Sequence, residues 1–173
     1  LELRARVRNS GPVPAKAAID VSVEDDAGNP RLSLSAAPVW VEPGSAAEVT
    51  LKGHLPAARL WSPASPILYR AIARLTGSGE SADEVAAPFG FRRIEATPDG
   101  LLWNGERIFL TGFNRHEDSP RTAMATDVAT VRRDLEQMKE AGSNFVRLCH
   151  YPHHPAELDL CDQLGLVAFC EVP

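Results

Sequence analysis

From the first residue to about residue 97, apolar and polar positions alternate with a period of two, the pattern of strands with one buried face. The alternating stretches are LELRARVRN, AAIDVSVED, RLSLSAAPVWV, AEVTLKGHL, LYRAIARL and EVAAPFGFRRIEA. Between them lie NSGPVP, DDAGNP, EPGS and TGSGES, whose glycines, prolines and asparagines favour turns. Six strands are visible and a seventh can be concealed among them. Short strands punctuated in this way predict an antiparallel immunoglobulin-like β-sandwich over residues 1–97.

After TPDG the period changes. In LLWNGERIFL, Asn104-Gly105 between apolar runs predicts a two-residue hairpin. IFLTGF (108–113) is short and apolar, as a buried strand is. In DVATVRRDLEQMKEAG, Val128, Val131, Leu135 and Met138 recur at helical spacing, Thr126 or Asp127 can cap the start, and Gly142 can end the helix. NFVRLC (144–149) predicts a second buried strand. A second helix opens at Pro155, carries Leu158, Cys161 and Leu164, and closes at Gly165; LVAFCEV (166–172) is a third strand. Strand, helix, strand, helix, strand is the grammar of a parallel sheet covered by helices. Residues 98–173 are therefore expected to be the first three strands of a truncated (β/α)8 TIM barrel.

Composition narrows the function classes. The 173 residues are 44% hydrophobic and 24% charged, as in a globular domain, and the net charge of -5 argues against nucleic acid. No apolar run is long enough to span a bilayer, and no secretory signal is recognised. Leu1 opens directly in a strand pattern, so an internal segment is expected, soluble, with its compartment undetermined. Cys149, Cys161 and Cys170 form no CxxC pair and read as small buried hydrophobes, with no metal site among them. Trp40, Trp61 and Trp103 read as packing residues.

Chemistry-bearing residues gather where the strands of a barrel would end, the face that carries catalysis in such folds. The first strand is followed by Asn114-Arg115-His116-Glu117-Asp118. The second carries Arg147 and ends in His150-Tyr151-Pro152-His153-His154-Pro155, and the third ends in Glu171. NFVRLCHYPHHPAELDLCDQLGLVAFCE closely resembles the signature of glycoside hydrolase family 2, the β-galactosidase and β-glucuronidase family: N-x-x-R, two small residues, H-Y-P, then D-x-x-G. Leu148 departs from it, standing where a small residue is preferred. LWSPASPILY (60–69), FGFRRIE (89–95) and FLTGFNRHEDSP (109–120) fit the same family in the same order.

The resemblance implies a retaining β-glycosidase of carbohydrate metabolism that acts on terminal β-linked sugars, galactosides or glucuronides. Such enzymes use one glutamate as acid/base and another as nucleophile. In the family both lie on later strands, the acid/base in an Asn-Glu pair. No such pair occurs in this sequence, so no catalytic residue is expected in the segment, which alone should be inactive. By motif position His116 and His150 would contact sugar hydroxyls, and Arg147 would hydrogen-bond the nucleophile. Asn114 and Glu117 would buttress the loop, and Glu171 matches a non-catalytic acidic position. The expected partner is carbohydrate, together with an N-terminal sugar-binding domain and the remainder of the barrel. No cofactor is expected in the segment, and a divalent metal of the whole enzyme would be held elsewhere. Two alternatives belong to other classes. One is a non-catalytic carbohydrate-binding fragment; the other is a metal-dependent barrel hydrolase using His116, His150 and His153 or His154.

Overall fold

In a computed structural model the chain is described over residues 1–77, 83–120 and 122–171. It forms two compact units, Leu1–Ala58 with Tyr69–Phe89, and Arg59–Leu68 with Gly90–Pro173. The change of period in the sequence was set at 97; contacts divide the chain at 89/90 and assign the segment 59–68 to the second unit.

The first unit is built from seven strands: β1 (Glu2–Arg8), β2 (Ala15–Glu24), β3 (Pro30–Ser35), β4 (Val39–Val41), β5 (Ala46–Lys52), β6 (Tyr69–Gly77) and β7 (Asp83–Phe89). Strands β1 and β5 pair antiparallel, and a second sheet runs β3-β2-β6-β7 with β4 also on β2. Ile19 and Val21 of β2 meet Val49 and Leu51 of β5, so the two sheets share one core, as the alternation predicts. RLSLSAAPVWV is two strands rather than one. The run pairs with two different stretches of β2, and Pro38 has no N–H with which to continue a ladder. The strand thus divided supplies the seventh. Residues 78–81 of the predicted TGSGES turn lie outside the described residues. Trp40 does not pack in a core, being 66% exposed on β4.

In the second unit β8 (Ile94–Thr97), β9 (Gly100–Trp103) and β10 (Glu106–Ile108) form an antiparallel sheet. Asn104 and Gly105, with φ of 55° and 87°, make the predicted hairpin turn. EVAAPFGFRRIEA is thereby divided between β7 and β8. Trp61 and Trp103 pack with their rings tilted by 50° and centroids 5.4 Å apart, and their ring N–H groups donate to the carbonyls of Asp162 and Trp61.

A parallel sheet follows: β11 (Gly112–Arg115), α1 (Val128–Glu140), β12 (Phe145–Leu148), α2 (Pro155–Leu164) and β13 (Val167–Cys170), with β12 central. The first parallel strand starts at 112, not 108. The side-chain amide of Asn144 holds residues 109–111 instead, accepting from Thr111 N–H and donating to Phe109 O, both at 2.8 Å. Gly112 must be glycine, because a Cβ there would lie 1.7 Å from Phe145 O. Asp127 caps α1, and Gly165 ends α2 with φ 73°. The core under the helices contains Val131, Leu135, Val146, Leu148, Leu160, Cys161 and Leu166.

Three sequence expectations shift here. Val128 and Leu158 are exposed, and Cys170 is exposed rather than buried. The buried face of α2 carries Glu157, Leu160 and Cys161, because Glu157 meets a cation there. Among the described residues no helix is long and apolar enough to cross a membrane.

Leu135 is fully buried in the second core. Leu135→Ala is expected to destabilise that unit by about 2 to 5 kcal/mol. Urea unfolding followed through Trp61 and Trp103 fluorescence would check this, and a loss below about 1 kcal/mol, the scale of a surface change, would refute the packing.

Candidate functional site

The register of the parallel sheet decides which side chains share a face. Asn114, Arg147 and Phe169 are cross-strand partners in one row, and Arg115, Leu148 and Cys170 form the next. Because side chains alternate, these rows face opposite ways. Arg115 and Leu148 turn toward the helices and are buried, whereas Asn114 and Phe169 are exposed on the other face. Two residues further on, the row of Arg147 continues into His116, Cys149 and Glu171. The sheet ladder continues into this layer, with Cys149 N–H donating to Arg115 O at 3.0 Å.

Glu171 gathers this layer. Its Oε1 accepts from Arg147 Nε at 2.8 Å and from Arg147 Nη2. Its Oε2 accepts from the backbone N–H of His150 at 3.0 Å and lies 2.9 Å from His150 Nδ1. A carboxylate only accepts, so Nδ1 carries the hydrogen, and in the neutral imidazole Nε2 keeps its lone pair. The His150 ring bond, and after it that from Arg147, holds the Glu171 carboxyl below the usual carboxylate range. His150 has φ 78°, a left-handed conformation strained for a residue with a Cβ, and the Glu171 bonds offset that strain. Arg147 Nη1 also donates to Asn114 Oδ1 at 3.3 Å and contacts Cys149 Sγ at 3.7 Å. The rings of His116 and His150 meet edge to face, with centroids 5.2 Å apart.

A second polar group lies on the helix side of the sheet. Arg115 and Glu157 are buried and joined at 2.9 Å, and Arg115 Nη2 reaches Asp134 Oδ2 at 3.2 Å. The His153 side chain is buried beside them, with Nδ1 at 2.9 Å from Glu157 Oε2 and Nε2 at 3.1 Å from Cys149 O. Both of its nitrogens face acceptors, so both positions call for a donor. Together Arg115 and His153 fasten the N–H and the C=O of Cys149, the residue before His150. Glu117 joins the two loops: its N–H donates to Tyr151 Oη at 2.9 Å and its Oε1 accepts from His154 N–H at 3.2 Å.

The same fold recurs in known proteins. The family model described as "Glycosyl hydrolases family 2" matches residues 1–92, and "Glycosyl hydrolases family 2, TIM barrel domain" matches residues 94–173. The chain belongs to glycoside hydrolase family 2. It is 43% identical over 129 residues to a β-galactosidase of Enterobacter cloacae, covering 72% of this chain and 12% of that protein. A Vibrio cholerae β-galactosidase is 43% identical over 108 residues, 62% of this chain and 10% of its own. Among solved structures, Bacteroides uniformis β-glucuronidase 2, covalently bound to cyclophellitol-6-carboxylate aziridine, superposes with a TM-score of 0.92 at 28% identity. That match covers 99% of this chain and 21% of that one. A family 2 β-galacturonidase from Eisenbergiella tayi, bound to galacturonate, gives 0.84 at 30% identity, covering 98% and 29%. The chain thus spans about a tenth of the curated relatives it matches, and comprises a family 2 sandwich domain and the start of the TIM barrel domain.

Of the family residues singled out in the sequence, Arg147, His150, Glu171 and Asn114 are directly linked, His116 stands against His150, and Glu117 ties the loops. His154 serves as N-cap of α2. The His153 side chain is buried, and neither it nor His154 joins His116 and His150. Sequence reasoning missed Arg115, Asp134 and Glu157. The available signal was a glutamate at 157 on the apolar face of the second helix, in phase with Leu160, Cys161 and Leu164.

Two outcomes follow from these contacts. Glu157→Ala leaves the buried His153 ring without its carboxylate and Arg115 with Asp134 alone, and should destabilise the second unit by about 3 to 5 kcal/mol in thermal unfolding. The lowered Glu171 carboxyl should stay ionised as pH falls through its ordinary value of 4.5. The stabilisation it contributes is then present above that pH and lost only as pH falls through the lowered value. A carbon-13 NMR titration of the Glu171 carboxyl with a midpoint at or above the ordinary value would contradict the network.

Proposed function

We propose that this protein is part of a retaining β-glycosidase that releases terminal β-linked sugars, galactosides or glucuronides. In this reading the first unit, Leu1–Ala58 with Tyr69–Phe89, is a supporting sandwich, and the strand ends of the second unit supply one arc of the sugar site. The observation that carries it is the convergence of Arg147, His150 and Glu171 at the strand ends of a family 2 barrel segment, with His116 against His150. His150, its Nδ1 committed to Glu171, offers Nε2 to a sugar hydroxyl, and His116 offers a second imidazole. An imidazole can both accept and donate, which matches hydroxyl groups that do the same.

Arg147 supports the nucleophile. Of its five N–H groups, four have partners among the described residues, at Glu171, Asn114 and Cys149; one on Nη2 is left to hold an incoming carboxylate. The cation keeps that carboxylate ionised and ready to attack the anomeric carbon. Both catalytic glutamates are supplied from outside residues 1–173, and this segment alone does not turn over substrate. The substrate choice draws support from relatives named β-galactosidase and from structural neighbours named β-glucuronidase and β-galacturonidase.

The deciding experiment assays the protein encoded by the complete reading frame against aryl β-galactosides and β-glucuronides, following product anomers by proton NMR. Release of the β-anomer first is expected. His150→Ala and His116→Ala should each lower kcat/KM about 10- to 100-fold, the cost of a hydrogen bond to a charged transition state of about 1.5 to 3 kcal/mol. Inversion of configuration, or hydrolysis by residues 1–173 alone, would overturn the reading.

A further inference from the structure

The geometry points to a binding site for one soft divalent cation, of the zinc or cadmium class, formed by His116, Cys149 and His150 at the strand ends of the parallel sheet. One donor atom from each of the three lies within 4.8 Å of the other two. Imidazole nitrogen and thiolate sulfur bind such ions at about 2.0–2.1 and 2.3 Å, so donors around one tetrahedral ion stand closer than this. The difference is met by rotation of side chains, since both histidines are exposed and the His150 side chain is 56% accessible.

Two independent features favour a cation here over a chance grouping. The Nδ1–H of His150 is held by the Glu171 carboxylate, which fixes the tautomer and turns the Nε2 lone pair outward, the arrangement that carboxylates impose on metal-binding histidines. Cys149 has only weak sulfur contacts to give up, 3.7 Å from Arg147 Nη1 and 3.5 Å to Arg147 O. Glu171 lies against Arg147 and neutralises the cation nearest the sulfur. One sulfur and two nitrogens select a soft ion over magnesium or calcium, which prefer oxygen.

The other close grouping, Glu117, His153 and Glu157, is committed to Arg115 and to the His154 N–H and is not available to an ion. On binding, the Cys149 S–H bond breaks, its proton passes to solvent, and a sulfur–metal bond forms with no change in the ion's oxidation state. No metal site was expected among the cysteines, because they form no CxxC pair and only the strand register brings His116 beside Cys149 and His150. If the sugar reading holds, an ion here occupies the imidazoles that would meet sugar hydroxyls and blocks the site. The test does not depend on turnover, so the two ideas fail separately.

The probe is Co²⁺ added to the whole chain and followed by absorption. We expect one equivalent to bind with a sulfur-to-cobalt charge-transfer band. Cys149→Ser should remove that band and Cys170→Ser should leave it. His116→Ala and His150→Ala should each weaken binding more than about tenfold, the scale on which losing even an outer contact is felt. A ¹¹³Cd NMR spectrum of the unmodified chain guards against a misfolded variant, and a shift in the mixed sulfur–nitrogen range would support the site. Absence of Co²⁺ uptake, a band that survives Cys149→Ser or is lost with Cys170→Ser, or a cadmium shift typical of oxygen and nitrogen ligands alone would overturn it.

Discussion

The carboxylate of Glu171 is the point on which the strand-end arrangement depends. It stands one residue past β13, beyond the hydrogen-bond ladder, and reaches back across the sheet to β12. There it takes the Arg147 guanidinium on one oxygen, and the backbone and ring of His150 on the other. Without those bonds His150 would have no compensation for its left-handed backbone, and Arg147 would be a cation with only an amide and a thiol beside it. A single acidic group can do this because a carboxylate offers about four acceptor sites and no donors.

The opposite face of the same sheet solves a different problem. Arg115 points toward the helices, where an apolar residue would serve equally well for packing. It is retained there by Glu157 and Asp134 at hydrogen-bond distance. Buried pairs of this kind often add little net stability, since desolvation offsets the attraction. Their value here is positional. Arg115 accepts the Cys149 N–H through its own carbonyl, while Glu157 orients His153 to reach the Cys149 carbonyl. The peptide that presents His150 is thereby held from both sides by groups that do not face the candidate site.

Cys149 sits where these two systems meet. Its backbone belongs to the helix-side network, and its side chain stands with the two histidines. The other cysteines differ in character. Burial pushes the Cys161 thiol up to about 12, leaving it a hydrophobe in effect, and Cys170 is exposed on the helix-facing row of β13.

The sequence by itself determined the two fold classes and most of the element order, because period-two and helical alternation, the Asn104-Gly105 turn and the caps at Asp127 and Gly165 are local physics. Its family motifs also named the side chains of the candidate site, Arg147, His150, Glu171, Asn114, Glu117 and His116. It could not determine which of those residues touch. Arg147 and Glu171 are 24 positions apart and meet only because β12 and β13 pair in one register. Nor could local pattern explain a buried glutamate in α2, whose partner comes from a strand 42 residues earlier. The strands inferred as continuous across Pro38 and Gly90 were divided for the same reason: alternation reports which residues prefer burial, but pairing partners decide where a strand stops. Only the tertiary structure brought a buried thiol and two imidazoles to one place, since donor convergence depends on distances across a sheet and not along a chain.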